Sequence, residues 1–403
     1  MNVLVLNSGS SSVKYRLFDM EDGERLLIKG VADRIGLDGA YLRNTGADGT
    51  ERKRDLPLPD HRAALEAVFD SLGSGGGEVD GKIDGVGHRV VHGGETFSES
   101  VLIDDRVLDT LRQNVDLAPL HNPPNIQGIE VSRELLPGVP GVAVFDTAVH
   151  QTMPPKAYLY GLPVEFYHRH GIRKYGFHGT SHLYVAREAA LRLGKPLEAL
   201  RVITCHLGNG CSMTAFRKGR SIDTSMGFTP LEGLLMGTRT GDLDPAVPLF
   251  LVKDLGLDPQ EVEDLLNKES GLKGLCGLRD MRDVIERAGE GDEAARTAVE
   301  AFVYRIQKYI GAYTAALAGL DAVVFTAGIG ENSPHIRNEV LRPFGYLGLK
   351  VDAARNEAGE TVFSAEDSRV AAMAIPTNEE LVIARDTHAL VQRHIRADRH
   401  RPA

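Results

Sequence analysis

Three short stretches of this chain carry the residue types that cradle phosphate. Asn7-Ser8-Gly9-Ser10-Ser11-Ser12, His206-Leu207-Gly208-Asn209-Gly210-Cys211 and Ala327-Gly328-Ile329-Gly330-Glu331-Asn332 each follow an apolar run. Glycine lets backbone N–H groups approach a ligand closely, and successive N–H groups in a turn make an anion-binding concavity. One such turn is most often ordinary; three, two of them mutual repeats, favour a nucleotide held between two similar halves. No G-x-x-x-x-G-K-[ST] occurs, so the P-loop is not supported. Arg89 lies beside Gly93-Gly94, and Arg239 lies in a Thr- and Gly-rich loop. A lone arginine is ordinarily a solvated or salt-bridged surface group, but planar guanidinium groups clamp the oxyanions on which charge develops in phosphoryl transfer. Lys14 follows the first turn, either as an exposed strand-edge lysine or as a phosphate contact. Asp146 ends the apolar run Val142 to Phe145. Thr377-x-x-Glu380 has the spacing of a helix capping box, which makes Glu379 the better candidate of the two for a cation such as Mg²⁺.

These groups need elements to hold them. Val3–Leu6 and Val13–Phe18 read as strands around the first turn, and Arg201–Cys205 and Ser212–Phe216 repeat that hairpin without a gap when Gly9 is aligned with Gly208. A helix is expected over Asp60–Leu72, ending in a glycine run at 73–77 that reads as a surface loop. The longest helix is expected from about Ala294 to Leu320, with Val299, Phe302, Val303, Ile306, Ile310, Tyr313 and Leu317 in one stripe. Ala322–Thr326 reads as a strand leading into the third glycine turn, and Ser333-Pro334 as a helix start. Alternating strands and helices indicate an α/β protein.

Composition narrows the class. The 403 residues allow two or three domains, and 42% hydrophobic content can fill their cores. A net charge of −10 offers no broad basic surface, so neither a nucleic acid nor a membrane is expected as partner. Three cysteines without C-x-x-C fit a reducing compartment, and with no leader-like start or long apolar segment the expectation is a cytoplasmic protein. His88-x-x-x-His92 lacks a third ligand and a general-base Glu, so structural histidines are expected rather than zinc. The basic tail from Arg393 to Arg401 reads as a disordered end.

Several motifs, in order, resemble the acetate kinase family from the first strand to about residue 390. They are Val3 to Lys14, Gly87 to Glu95, Leu117 to Asn125, Phe145 to Ala148, Tyr175 to His182, His206 to Gly210, Met236 to Asp242, Asp280-Met281-Arg282, Phe325 to Asn332 and Ile375 to Leu381. The resemblance implies a duplicated ribonuclease-H-like (actin-like ATPase) fold with the active site in the cleft between two similar domains, usually as a homodimer. The expected domains are 1–150, with a C-terminal helix at about 380–403 packing back on it, and 151–379.

The implied activity is reversible, Mg²⁺-dependent transfer of the ATP γ-phosphoryl group to acetate, giving acetyl phosphate and ADP by direct in-line displacement, with Mn²⁺ able to substitute. The resemblance places Arg89 on the carboxylate substrate, Arg239 and His178 on the transferring phosphoryl group, and Val91, Leu120, His121 and Pro230 around the substrate. ATP falls to Lys14, Ser10 and Ser12, to His206, Leu207, Gly208, Asn209 and Gly210, to Asp280, Met281 and Arg282, and to Gly328, Ile329, Gly330, Glu331 and Asn332. Asn7 and Glu379 are the implied metal ligands. The family describes Asp146 as the proton acceptor. A carboxylate substrate with a pKa of about 4 is already ionised at neutral pH, so the chemistry favours Asp146 as an orienter of Arg89 or of water on the metal. At 275–279 the chain departs from the family's usual Ser-rich, longer stretch. The rival readings are a propionate or butyrate kinase of the same family and, in another class, an ATP-gated binding module without transfer.

Overall fold

The strand and helix order is that of an α/β chain, and Cα proximity divides it into two compact units, Met1–Ala148 joined by the segment from Asn378, and Val149–Thr377. The computed structural model describes residues 1–73, 82–119 and 121–399; Leu120 and most of the glycine run at 73–77 therefore lie outside the described residues.

In the first unit, strands β1 (Asn2–Ser8), β2 (Ser12–Asp19), β3 (Arg25–Asp33), β4 (Tyr41–Gly46), β5 (Glu51–Asp55), β6 (Gly85–Val90), β7 (Val101–Leu102) and β8 (Gly141–Phe145) form one sheet in the order β5-β4-β3-β2-β1-β6-β8-β7. The hairpins β1 to β3 are antiparallel, and β6 and β8 run parallel to β1. Because side chains alternate across a strand, Leu4 and Leu6 join a core with Ala64, Leu65 and Val68 of the helix His61–Gly73, while Val3 and Val5 pack with Ile383, Ala384 and Val391 of the helix Glu379–Arg399. Asp60 caps the first of these helices, its Oδ1 accepting from Ala63 N at 2.9 Å. Edge strand β5 is exposed and charged at every position, which discourages pairing with another chain.

In the second unit, β9 (Arg201–Leu207), β10 (Cys211–Arg217), β11 (Arg220–Thr224), β12 (Ala322–Thr326) and β13 (Ala371–Ala374) follow the order β11-β10-β9-β12-β13. The order and the strand directions repeat β3-β2-β1-β6-β8 of the first unit. This is the duplicated ribonuclease-H-like fold. Arg201 and Cys211 open the strands that Asn2 and Ser12 open in the first hairpin, at one constant offset. The register differs by one residue: Ser8 pairs with Val13, whereas Leu207 pairs with Cys211, so the second turn is the tighter. The helix Gly179–Arg192 covers one face through Val185, Ala186 and Ala189. The helix Glu293–Leu317, capped by Asp292, buries every residue of the expected apolar stripe.

Three expectations are corrected. The cap of the last helix is Asn378, whose Oδ1 accepts from Leu381 N at 3.3 Å; the Thr377 hydroxyl instead donates to Ser181, and Glu380 pairs with Arg16. Ala327–Asn332 is a short helix rather than an open glycine turn, although Ser333 does cap the next helix, Pro334–Leu341. The basic tail is helical as far as Arg399, aided by burial of Val391 and by Arg396 donating to Gln392 four residues back, while His400 and Arg401 lie outside the described residues.

Candidate active site

In the first unit, the parallel pairing of β6 with β8 sets Val90 opposite Phe145, so Arg89 and Asp146 meet at the ends of adjacent strands. Arg89 donates from Nε to Asp146 Oδ1 at 3.0 Å and from Nη2 to Oδ2, a bidentate pair. Its Nη1 reaches Asn7 Oδ1 at 3.4 Å, and Glu379 Oε2 lies 3.8 Å from its Nε. Asp146 is 1% exposed. Burial raises its carboxyl above the usual range, with Glu379 adding to the rise, while Arg89 and His121 oppose it. Burial also works against the Arg89 charge, but Asp146 and Glu379 outweigh it and keep the guanidinium protonated.

The surrounding scaffold is specific. Asn125, on the helix Asn122–Leu135, donates to Ser8 O at 2.6 Å and accepts from Val91 N at 3.0 Å, tying the first glycine turn to the end of β6. Asn122 both donates to and accepts from the backbone of His92. His121 is the N-cap position of that helix. Lys14 is exposed and stands opposite Asn7 in the ladder, so the two share a sheet face. Gly9 N donates to Ser12 O at 2.8 Å, which shapes the turn holding Ser10. His88 and His92 are buried; burial lowers His88 to about 3, which suits a neutral structural group. Among the described residues no cluster of three or more His, Cys, Asp or Glu side chains has a metal-holding arrangement.

The second unit gathers most of the expected nucleotide residues. Gly208, Asn209, Asp280, Met281, Arg282, Gly328, Ile329 and Asn332 line one cavity of about 650 Å³, with Arg279, Ile285 and His335. Asp280 caps the helix Met281–Gly289 and pairs with Arg282, which lowers its pKa to about 2. Leu207 and Gly330 are buried and do not line the cavity. Glu331 turns inward: its Oε1 accepts from Ala327 N at 2.7 Å, Thr326 Oγ1 at 3.2 Å and Thr377 N at 3.1 Å, so its carboxylate holds the short helix in place. Below that helix the fully buried Arg337 donates to Gly330 O and Glu331 O.

Gly210, next in sequence to the cavity-lining Asn209, is approached by two donors. A Cβ built on Gly210 would lie 3.6 Å from both Arg239 Nη1 and His178 Cε1. Arg239 also donates to Pro230 O at 3.3 Å. Burial lowers its pKa, and the neighbouring Cys211 opposes that shift. His178 adopts a left-handed backbone, φ 58°, at the start of the helix Gly179–Arg192, and its ring stacks on His206 with centroids 4.1 Å apart.

The sequence reading passed over several of these groups. Arg16 lies on the Lys14 face and pairs with Glu380 and Asn378; the period-two spacing from Lys14 could have found it. Arg337 looked like one more helical arginine. His182, Thr204 and Ser212 form a hydrogen-bonded chain to His178 that no spacing rule reveals.

Residues 2–385 match the acetokinase family. The chain belongs to that family. Among similar proteins, the acetate kinase of Natranaerobius thermophilus is 54% identical over 397 residues, covering 97% of this chain and 100% of the relative. That of Thermotoga maritima is 53% identical over 408 residues, covering 98% and 99%. Porphyromonas gingivalis acetate kinase superposes with a TM-score of 0.92 at 43% identity, over 97% of this chain and 99% of that one. A propionate kinase from Francisella tularensis gives 0.91 at 43%, over 96% and 99%. The acetokinase match takes in both units and every site residue named above.

Proposed function

We propose that this acetokinase transfers the γ-phosphoryl group of ATP to acetate, reversibly, giving acetyl phosphate and ADP. The observation that carries the reading is the approach of Arg239 and His178 to Gly210, one residue beyond Asn209 in the lining of the cavity of about 650 Å³, which suits two donors to phosphoryl oxygens near a nucleotide pocket. An acetate oxygen attacks Pγ as the bond from Pγ to the ADP oxygen breaks, and ADP leaves with that electron pair. The acid is ionised before it binds, so no proton need be removed. Arg89 receives the carboxylate through N–H groups not turned to Asp146, and Asp146 fixes the plane of the guanidinium. Arg239 and His178 stabilise charge on the moving phosphoryl oxygens.

Mg²⁺ suits Asn7 and Glu379. Both offer hard oxygen atoms, both are drawn to the same guanidinium, and a two-oxygen protein set is what an ion completed by phosphates and water requires. Bound there, Mg²⁺ or Mn²⁺ would neutralise phosphate charge. Lys14, Ser10, Ser12 and the cavity residues contact ATP in this reading, and Val91, His121 and Pro230 contact the acid; Leu120 lies outside the described residues. The adenosine side at Arg279–Arg282 keeps a pocket despite the departure at 275–279.

We further read the protein as a cytoplasmic homodimer. Three unpaired cysteines suit a reducing compartment. The apolar helix Ala246–Lys253 buries none of its residues and exposes Leu249 and Phe250, a face suited to a second copy. Among the described residues no helix is long and apolar enough to cross a membrane.

Trapping the acyl phosphate with hydroxylamine, with ATP, Mg²⁺ and a series of short carboxylates, tests the reaction. Acetate should give the highest kcat/KM, with propionate lower by the effect of one methylene, about 1–3 kcal/mol. No acyl phosphate from any acid would overturn the enzyme assignment, and a longer acid outperforming acetate would overturn the substrate.

A further inference from the structure

We propose that Thr204, His182 and Ser212 are positioning residues that fix His178 as the neutral tautomer carrying its proton on Nε2. This deepens the reading of His178 as a donor to the phosphoryl oxygens and rests on it. His178 immediately precedes the helix that carries His182, and the two ring centroids lie 6.5 Å apart. Thr204 comes from β9 and Ser212 from the adjacent β10. Thr204 Oγ1 contacts His182 Nδ1 at 2.7 Å, His182 Nε2 contacts Ser212 Oγ at 2.7 Å, and Ser212 Oγ contacts His178 Nδ1 at 2.8 Å. Thr204, His182 and Ser212 are fully buried, so bulk water does not compete for their hydrogen bonds.

Counting protons decides the direction of the chain. Each hydroxyl has one, and so does a neutral imidazole. Burial, with His150 and His206 nearby, holds the His182 pKa well below the usual histidine value, so its ring is neutral. If the chain runs outward, Thr204 donates to His182 Nδ1, His182 Nε2–H to Ser212, and Ser212 to His178 Nδ1. All three protons are then used at 2.7–2.8 Å, and the His178 proton is left on Nε2. If it runs inward, the Thr204 proton has, among the described residues, Thr214 O, 3.4 Å away, as its outlet. A buried donor with so poor an acceptor is disfavoured, so the outward direction prevails. The Cε1 and Nε2 edge of His178 is the one nearest Gly210, which Arg239 Nη1 also approaches. The Nε2 proton therefore lies on the side where phosphoryl oxygens would arrive, and His178 donates without first becoming an imidazolium. Around it stand His206, stacked on its ring, His182 and the Arg239 guanidinium.

Ring ¹⁵N NMR of the full-length, labelled wild-type protein at neutral pH tests the tautomer, with His178 assigned by its loss in His178→Asn. The expected result is an unprotonated Nδ1 and a protonated Nε2. A proton on Nδ1, or an even mixture, overturns the proposal. Ser212→Ala should lower kcat by about tenfold or more with both KM values little changed, and should move the His178 signals toward a mixture; Ser212→Thr, which keeps a hydroxyl, should restore both. A folded Ser212→Ala protein with wild-type kcat and unchanged signals also overturns it, and if that variant does not fold the wild-type spectrum still decides. Acyl phosphate formation by the wild type reports separately on the functional reading, because the spectrum is recorded without turnover.

Discussion

Replacing Asp146 with Asn tests whether the carboxylate acts through Arg89. The native pair comprises Nε to Oδ1 at 3.0 Å and Nη2 to Oδ2, and Asp146 is almost wholly buried. Asn keeps one acceptor but turns an NH₂ group toward Nη2, donor against donor. Breaking a buried ion pair costs about 3–5 kcal/mol. Glu379, 3.8 Å from Arg89 Nε, and the surviving acceptor retain part of the compensation, so the expected loss of stability is about 2–4 kcal/mol. For catalysis, one charge-assisted hydrogen bond of about 1.5–3 kcal/mol no longer orients the guanidinium, which corresponds to roughly 10- to 150-fold in kcat/KM for acetate. Hydroxamate assays at varied acetate, alongside denaturant titration, give both numbers. The acetate KM should rise while the ATP KM holds. Loss confined to kcat, with an unchanged acetate KM and unchanged stability, would refute the orienting role.

Acid should unfold the protein steeply. Burial lowers His88 to about 3, His150 to about 4 and His182 well below the ordinary value of 6.5, so all three take up protons only on unfolding. The unfolded chain then binds more protons, and stability is lost as pH falls from 6.5 toward 4, by about 1.4 kcal/mol per pH unit for each histidine; denaturation midpoints measured from pH 7.5 to 5 should show it. Gly237→Ala would press a methyl onto Asn209 Oδ1 and within 3.0 Å of Arg279 O, both at the cavity, and should raise the ATP KM about tenfold without moving the acetate KM. Arg337→Met removes four hydrogen bonds to Asn356, Gly330 and Glu331 and should cost about 3–5 kcal/mol in chemical denaturation.

Local signals were readable in the sequence, and long-range ones were not. The hairpins at Gly9 and Gly208 and the stripe from Val299 to Leu317 rest on periods of two and about 3.6, which neighbouring residues alone determine. The meeting of Arg89 with Asp146 depends on the parallel register of β6 and β8, which no local pattern encodes. The last helix shows how narrow the margin is. Thr377 and Asn378 are both capable caps, and Ser181, distant in sequence, takes the Thr377 hydroxyl and leaves the cap to Asn378. Glu331 sits in a glycine motif yet turns inward, because the strand-to-helix junction at Ala327, with φ 63°, presents an N–H that a carboxylate can satisfy. Ser212 and Thr204 read as ordinary strand residues, since an inward-facing hydroxyl has meaning only once the opposing imidazoles are placed.

The helix Glu379–Arg399 belongs to the first unit but follows the whole of the second. Val3, Val5, Val142 and Val144 are covered by its Ile383, Ala384 and Val391, and Gly87 lacks a side chain where Thr387 and Ile383 press against it. During synthesis at about 5–20 residues per second, that sheet face leaves the ribosome tens of seconds before its cover exists. The first unit cannot complete its core in the order in which it is made. Its β-rich face must stay shielded from neighbouring nascent chains until that helix arrives, so residues made after the whole second unit close a core begun before it.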